Sequence, residues 1–247
     1  MTYCVGLSVK DGLVMIADTR TNAGIDNIAT FRKLHTFETP GERVMAVCTS
    51  GNLSVSQSVI SMLQDGLENP ETGAIETLTS MPSMFKAAQL IGRAIRTVYA
   101  IDGRSLAQQN ASFDVSLLFG GQIKGGRMRL FMIYSAGNFI ECTPDTPYLQ
   151  IGEHKYGKPI LDRAVGYNTE MMDALKIGLI SMDSTMRSNL GVGMPLDLIV
   201  VRRDALKSDI VYRIEPGEPY FHDLRERWSA ALRQAHINIP RPPYGPV

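Results

Sequence analysis

Charge of one sign is what this chain lacks most plainly: 25 Lys and Arg are matched by 25 Asp and Glu, for a formal net charge of zero at pH 7. A dedicated binder of nucleic acid or anionic membrane needs a basic surplus, so neither partner is expected. Cysteine is scarce as well. Cys4, Cys48 and Cys142 are an odd number with no C-x-x-C spacing, which argues against a disulfide framework and a thiolate zinc site. No apolar run approaches the roughly 18–20 residues a membrane-spanning helix requires. Residues 1–6 carry neither the basic nor the apolar region of a signal peptide. Recognised catalytic motifs are absent too: there is no G-x-x-x-x-G-K-[ST] loop, no H-E-x-x-H and no G-x-S-x-G. The histidines (His35, His154, His222, His236) are far apart in sequence. No metal and no cofactor are expected, and the chain reads as a soluble, cytoplasmic, globular protein.

What is present is enough apolar material for a core: 44% hydrophobic against 20% charged residues over 247 positions. Residues 3–9 alternate with the period of a half-buried strand, and Leu13-Val14-Met15-Ile16-Ala17 reads as its returning partner. Further strands are expected at 28–37, 43–49, 112–123, 128–134, 139–142, 196–201 and 210–214. Helices are expected at 53–67, 82–101, 169–187 and 221–235, with Pro82 in a first turn and Thr169 as a cap. Hairpin strands separated by helices do not make alternating βαβ units. An α+β fold of two mainly antiparallel sheets with helices outside follows, as one domain over 1–236 and a proline-rich tail over 237–247.

The chemical signal lies at the start. Loss of Met1 would leave Thr2 with a hydroxyl and a free α-amine, and an α-amine titrates near ~7.7–8.0. Such an amine can take the proton of the adjacent hydroxyl, the threonine variant of nucleophile activation. The bland alternative is a small residue that merely permits methionine removal. A three-residue loop at Lys10-Asp11-Gly12 would pair Val9 with Leu13, face Thr2 toward Arg20 and put Asp18 diagonally on the same face. A two-residue loop would turn Asp18 to the other face. Lys33 reads either as a surface lysine or, beside Thr2, as a cation that tunes the hydroxyl. Ser50-Gly51 follows a strand and precedes a helix, where a backbone N–H can donate to an oxyanion.

Thr2, Gly6, Asp18-Thr19-Arg20, Lys33 and Ser50-Gly51, in this order, resemble the N-terminal-nucleophile hydrolases of the proteasome β-subunit type. The stretch 17–27, continuing to Phe31-Arg32-Lys33, is the specific part, and within that family it is similar to the bacterial ancestral-β-subunit group. The resemblance implies a four-layer αββα sandwich and a threonine peptide or amide hydrolase. It gives Thr2 as nucleophile, Lys33 as its electrostatic tuner, Asp18 as the partner of Lys33 and the Gly51 N–H as oxyanion donor. Arg20 would organise the Asp18 end. The family's Gly-Ser-Gly serine corresponds here to the region of Ile151-Gly152-Glu153-His154, so Glu153 takes the role of supporting the amine or nothing does. Its later Asp-x-x-Ser-Gly stretch corresponds to Arg187-Ser188-Asn189-Leu190-Gly191, which brings in Ser188 and Asn189. The resemblance also implies a homo-oligomer of many subunits, as a ring or a helical stack. A self-assembling scaffold with a vestigial pocket, and an amidase acting on a small amide, are the competing readings.

Overall fold

A computed structural model describes residues 1–22 and 28–244. Residues 23–27 of the stretch 17–27 and residues 245–247 of the tail lie outside the described residues. The opening alternation forms a hairpin of β1 (Tyr3–Val9) and β2 (Gly12–Asp18). A short pair, β3 (Arg20–Asn22) and β4 (Ile28–Thr30), precedes the longer hairpin of β5 (Leu34–Thr39) and β6 (Arg43–Gly51). Helix α1 (Leu53–Asp65) leads through the small pair β7 (Leu67–Glu68) and β8 (Ile75–Glu76) to α2 (Met84–Gln108). A meander of β9 (Val115–Ile123), β10 (Arg129–Ile133) and β11 (Phe139–Glu141) follows, and then β12 (Tyr148–Gly152). Helices α3 (Lys158–Ala164) and α4 (Met171–Ser188), strands β13 (Leu196–Arg202) and β14 (Ile210–Ile214), and helix α5 (Pro219–Asn238) complete the order.

One sheet runs β12-β1-β2-β13-β14 and the other β11-β10-β9-β6-β5, with antiparallel pairing throughout both. Three buried clusters separate four layers. Val59, Leu63, Ile91 and Ile95 of α1 and α2 pack on Phe119 and Phe131 of the second sheet. Leu161, Leu175, Leu179 and Phe221 of α3, α4 and α5 pack on Val5, Leu7 and Ile16 of the first. Between the sheets lie Cys4, Met15, Ala46, Cys48, Leu118 and Leu130. Strand alternation sends odd residues of β1 to the helices and Cys4 to the other sheet. Both faces of β2 are covered, which is why its sequence is a continuous apolar run rather than an alternating one. The expected αββα sandwich is therefore the observed one. No helix among the described residues is long and apolar enough to cross a membrane.

Several local expectations change. The first hairpin pairs Val9 with Gly12 through a two-residue loop at Lys10-Asp11, so Thr2 does not face Arg20. The loop is held from afar: Arg203 donates its backbone N–H to the Asp11 carbonyl and its Nε–H to that of Lys10. The strand expected at 28–37 is broken at 31–33, because Lys33 turns inward to a carboxylate while Arg32 turns to solvent. Pro82 precedes the cap Ser83 and so lies outside the first turn of α2, and the Glu170 carboxylate, not Thr169, caps α4 by accepting from the Met172 and Asp173 N–H groups. Strand β12 and helix α3 had no sequence signal. Helix α5 continues to Asn238, and residues 239–244 have no helix or strand.

Leu130 fills the gap opposite two glycines of the inter-sheet layer. A Cβ at Gly6 or Gly120 would stand 3.0 or 3.2 Å from its methyl. Gly6 on the facing sheet and Gly120 on the neighbouring strand have no side chain of their own to fill the space that Leu130→Ala leaves. The expected loss is about 3–4 kcal/mol, read from the urea midpoint at unchanged slope; a loss below about 1 kcal/mol would contradict this packing.

Candidate active site

The two sheets part at the end where β1 begins and β6 ends. The opening is a cleft of about 940 Å³ lined by Met1, Thr2, Ser50, Gly51, Gln150 and Glu153, among others. Thr2 is 7% exposed, directly before β1. Its carbonyl accepts the Glu153 N–H at 2.7 Å, which extends the β1–β12 ladder by one step. Gly51 ends β6 at φ +102°, a left-handed value that favours glycine. A Cβ there would lie 2.2 Å from the Asp114 carbonyl oxygen. Asn52 then caps α1 by accepting from the Ser54 N–H at 3.0 Å, so Gly51 stands beside a helix N-terminus.

Beneath the cleft lies a buried ion pair. Lys33 Nζ is 2.8 Å from Asp18 Oδ1, with side-chain exposures of 5% and 0%. Its other acceptors are the Arg20 carbonyl at 2.6 Å and the Met1 carbonyl at 3.4 Å. An ammonium carries three N–H groups, and these are three acceptors. Asp18 is likewise saturated. Oδ1 also accepts the Tyr3 N–H at 3.0 Å, and Oδ2 accepts the N–H groups of Arg20 at 3.2 Å and Gly193 at 3.3 Å. Burial pushes the Asp18 carboxyl above its ordinary range, against the downward pull of the Lys33 ammonium and the Tyr3 and Gly193 N–H groups. The two-residue hairpin loop did not remove Asp18 from the site. It is the last residue of β2, where its carboxylate reaches around the strand end to the Tyr3 N–H.

Arg20 braces this end: its Nη1 donates to the Leu190 carbonyl at 2.9 Å, and its guanidinium lies where a Cβ on Gly193 would be 2.3 Å from Cζ. Glu153 and Asn189 are joined, Nδ2 to Oε2, at 3.1 Å, and Asn189 Oδ1 accepts the Gly191 N–H at 2.9 Å. Gly191 in turn packs against the Met1 side chain. Ser188 closes α4 on the exposed surface and is not drawn into this group. Thr2, Asp18, Arg20, Lys33, Gly51, Glu153 and Asn189 are thus gathered at one end of the sandwich; Ser188 is not. Sequence reasoning missed the N–H donors of Tyr3 and Gly193 and the Met1 carbonyl. The Gly191-Val192-Gly193 run after α4 was the available signal for the second donor. It also missed the Tyr3 hydroxyl, which meets Ser181 Oγ at 2.5 Å and accepts from Gln150. Burial pushes that phenol well up, so it remains a neutral hydroxyl. Among the described residues no group of three or more His, Cys, Asp or Glu side chains is arranged to hold a metal ion.

The family model for proteasome subunits matches residues 2–201. Among solved structures, an Anbu (Gly-1) mutant from Hyphomicrobium sp. strain MC1 is similar at 46% identity and TM-score 0.90, over 99% of this chain and 100% of its own. Anbu (ancestral beta-subunit) from Yersinia bercovieri has the same identity, TM-score and coverage. The Anbu complex from Pseudomonas aeruginosa, described as a helical assembly, is 50% identical with TM-score 0.89 over 98% of each chain. No curated protein sequence matches.

Lys33→Ala tests the electrostatics of the pair through stability. Removing the ammonium takes away the main opponent of burial, so the folded-state pKa of Asp18 rises further above its unfolded value. A group raised in this way contributes stability below its unfolded pKa that is lost as pH rises through the folded one. The deficit of the variant should therefore be about 3 kcal/mol near neutrality and shrink on acidification toward about pH 5. Denaturant melts of both proteins across that range provide the check, and a deficit constant with pH would contradict the account.

Proposed function

This chain belongs to the proteasome-subunit family, and on that footing we propose that it is a threonine-nucleophile hydrolase that cleaves peptide bonds after Met1 is removed. The observation that carries this reading is the position of Lys33. Its ammonium, neutralised from below by Asp18, directs an N–H to the Met1 carbonyl at 3.4 Å. That carbonyl belongs to the peptide whose nitrogen becomes the Thr2 α-amine.

In this mechanism the free amine of Thr2 takes the hydroxyl proton, and the oxygen attacks a substrate carbonyl lying in the cleft. Lys33 favours the charged form of the nucleophile electrostatically. The Gly51 N–H donates to the tetrahedral oxyanion, with the α1 N-terminus behind it. The α-ammonium then protonates the departing amine as the acyl ester forms. Water, deprotonated by the same amine, releases the acid and restores Thr2. With Met1 attached, the Thr2 nitrogen is an amide and cannot serve as base, so that form is silent.

We further propose that the chain works as a homo-oligomer of many identical subunits in a cytoplasmic setting. The Pseudomonas aeruginosa relative is described as a helical assembly, and the outer part of α5 with the segment after it leaves Leu232, Ile237, Ile239 and Tyr244 exposed. Balanced charge offers no case for nucleic acid or membrane as partner.

Cleavage of a mixed peptide pool, followed by mass spectrometry, tests the chemistry. Thr2→Ala should abolish cleavage, and Lys33→Ala should slow it at least about a hundredfold, the scale of a lost electrostatic contact in a transition state. Wild-type rates in either variant would overturn the mechanism.

A further inference from the structure

Strands β14 and β5 are the edges of their sheets on one flank of the sandwich. At one end of this flank the gap is bridged, by the Gly41 N–H to the Leu206 carbonyl at 2.9 Å and by Ser208 Oγ to Glu38 Oε2 at 2.7 Å. At the other end it stays open as a crevice of about 250 Å³ lined by residues that include Arg32, Thr36, Asp197, Tyr212 and Arg213. It shares no lining residue with the Thr2 cleft.

Charge in this crevice is unequal. Arg213 holds Asp197 through paired bonds of 2.7 and 2.8 Å, so those two neutralise each other. Arg32 reaches the same carboxylate only at 3.9 Å and is 65% exposed, which leaves its guanidinium largely free to take another anion. His35 adds no compensating charge. Burial first, and then the Arg32 cation, hold its pKa below the ordinary value, while Asp197 pulls the other way. Alongside, Val211 and Tyr212 are exposed on β14, an edge strand with backbone groups unpaired on its outer side.

We propose that this crevice binds an acidic peptide, laid in extended form along the β14 edge with a side-chain carboxylate on the Arg32 guanidinium. An edge strand recruits extended peptide through its backbone, and the pocket beside it sets the side-chain preference. Guanidinium presents a planar fork that fits a carboxylate. Val211 and Tyr212 supply apolar contact for neighbouring residues of the peptide. Arg32 adjoins Lys33, and Asp197 pairs in register with Ala17, next to Asp18. The peptide would therefore lie beside the buried ion pair without entering the cleft, as an anchoring site for chains whose other parts reach Thr2.

The test is fluorescence anisotropy with a dye-labelled Val-Glu-Val-Glu-Val peptide and its Gln-substituted twin, on the full chain carrying Thr2→Ala so that the probe is not consumed. The acidic peptide should bind at least tenfold tighter than its twin, and added salt should narrow the difference. Arg32→Gln, at an exposed position, should bring the acidic peptide to the level of the twin. Equal binding of the two peptides, or unchanged affinity in Arg32→Gln, would overturn the proposal. Neither readout depends on turnover, so both stand apart from whether Thr2 is a nucleophile.

Discussion

A lysine and an aspartate that share almost no water organise one end of this molecule. Asp18 ends β2 and Lys33 lies just before β5, and each would be costly to bury alone. Together they are matched group for group, the ammonium by three acceptors and the carboxylate by three backbone N–H donors besides. This saturation links the start of β1, the end of β2, the break before β5 and the loop after α4. Loss of either charged partner would leave the other unpaired in a low-dielectric setting.

The fold serves that pair by where it ends its strands. Deep between the sheets the contacts are apolar and tight, with Leu130 opposite glycine. Toward the mouth the same strands run out into Thr2, Asp18 and Gly51, so polar groups appear where the ladders stop and backbone N–H and carbonyl groups come free for other partners. Regular structure therefore supplies position, and strand ends supply chemistry. The flank between β5 and β14 repeats this arrangement with a different charge balance, two guanidinium groups to one carboxylate.

Much of this was legible in the sequence, for physical reasons that differ by element. β1 and the apolar stripe of α4 announce themselves because period two and period 3.6 are imposed by burial on known faces, while β6 and β9, covered on both faces, show as apolar runs. The residues from Asp18 to Lys33 were legible as a family pattern, although their meeting could not be derived from spacing. Hairpin register was misread because Lys10-Asp11-Gly12 suits either loop length, and the choice is held by Arg203, far away in the chain. The break before β5 was hidden for a related reason: an ion pair overrode a good strand pattern. β12 has only five residues and gains its form from pairing with β1.

The central claim is that the α-amine of Thr2 is the base. Two preparations of the same chain test it most directly, one retaining Met1 and one beginning at Thr2, each identified by intact mass. Both are exposed to a threonine-directed peptide electrophile, and the adduct is followed by mass. Protein that begins at Thr2 should acquire one adduct on that residue, while protein that retains Met1 should remain unmodified. Equal modification of the two would contradict the claim, because an amide nitrogen cannot accept the hydroxyl proton.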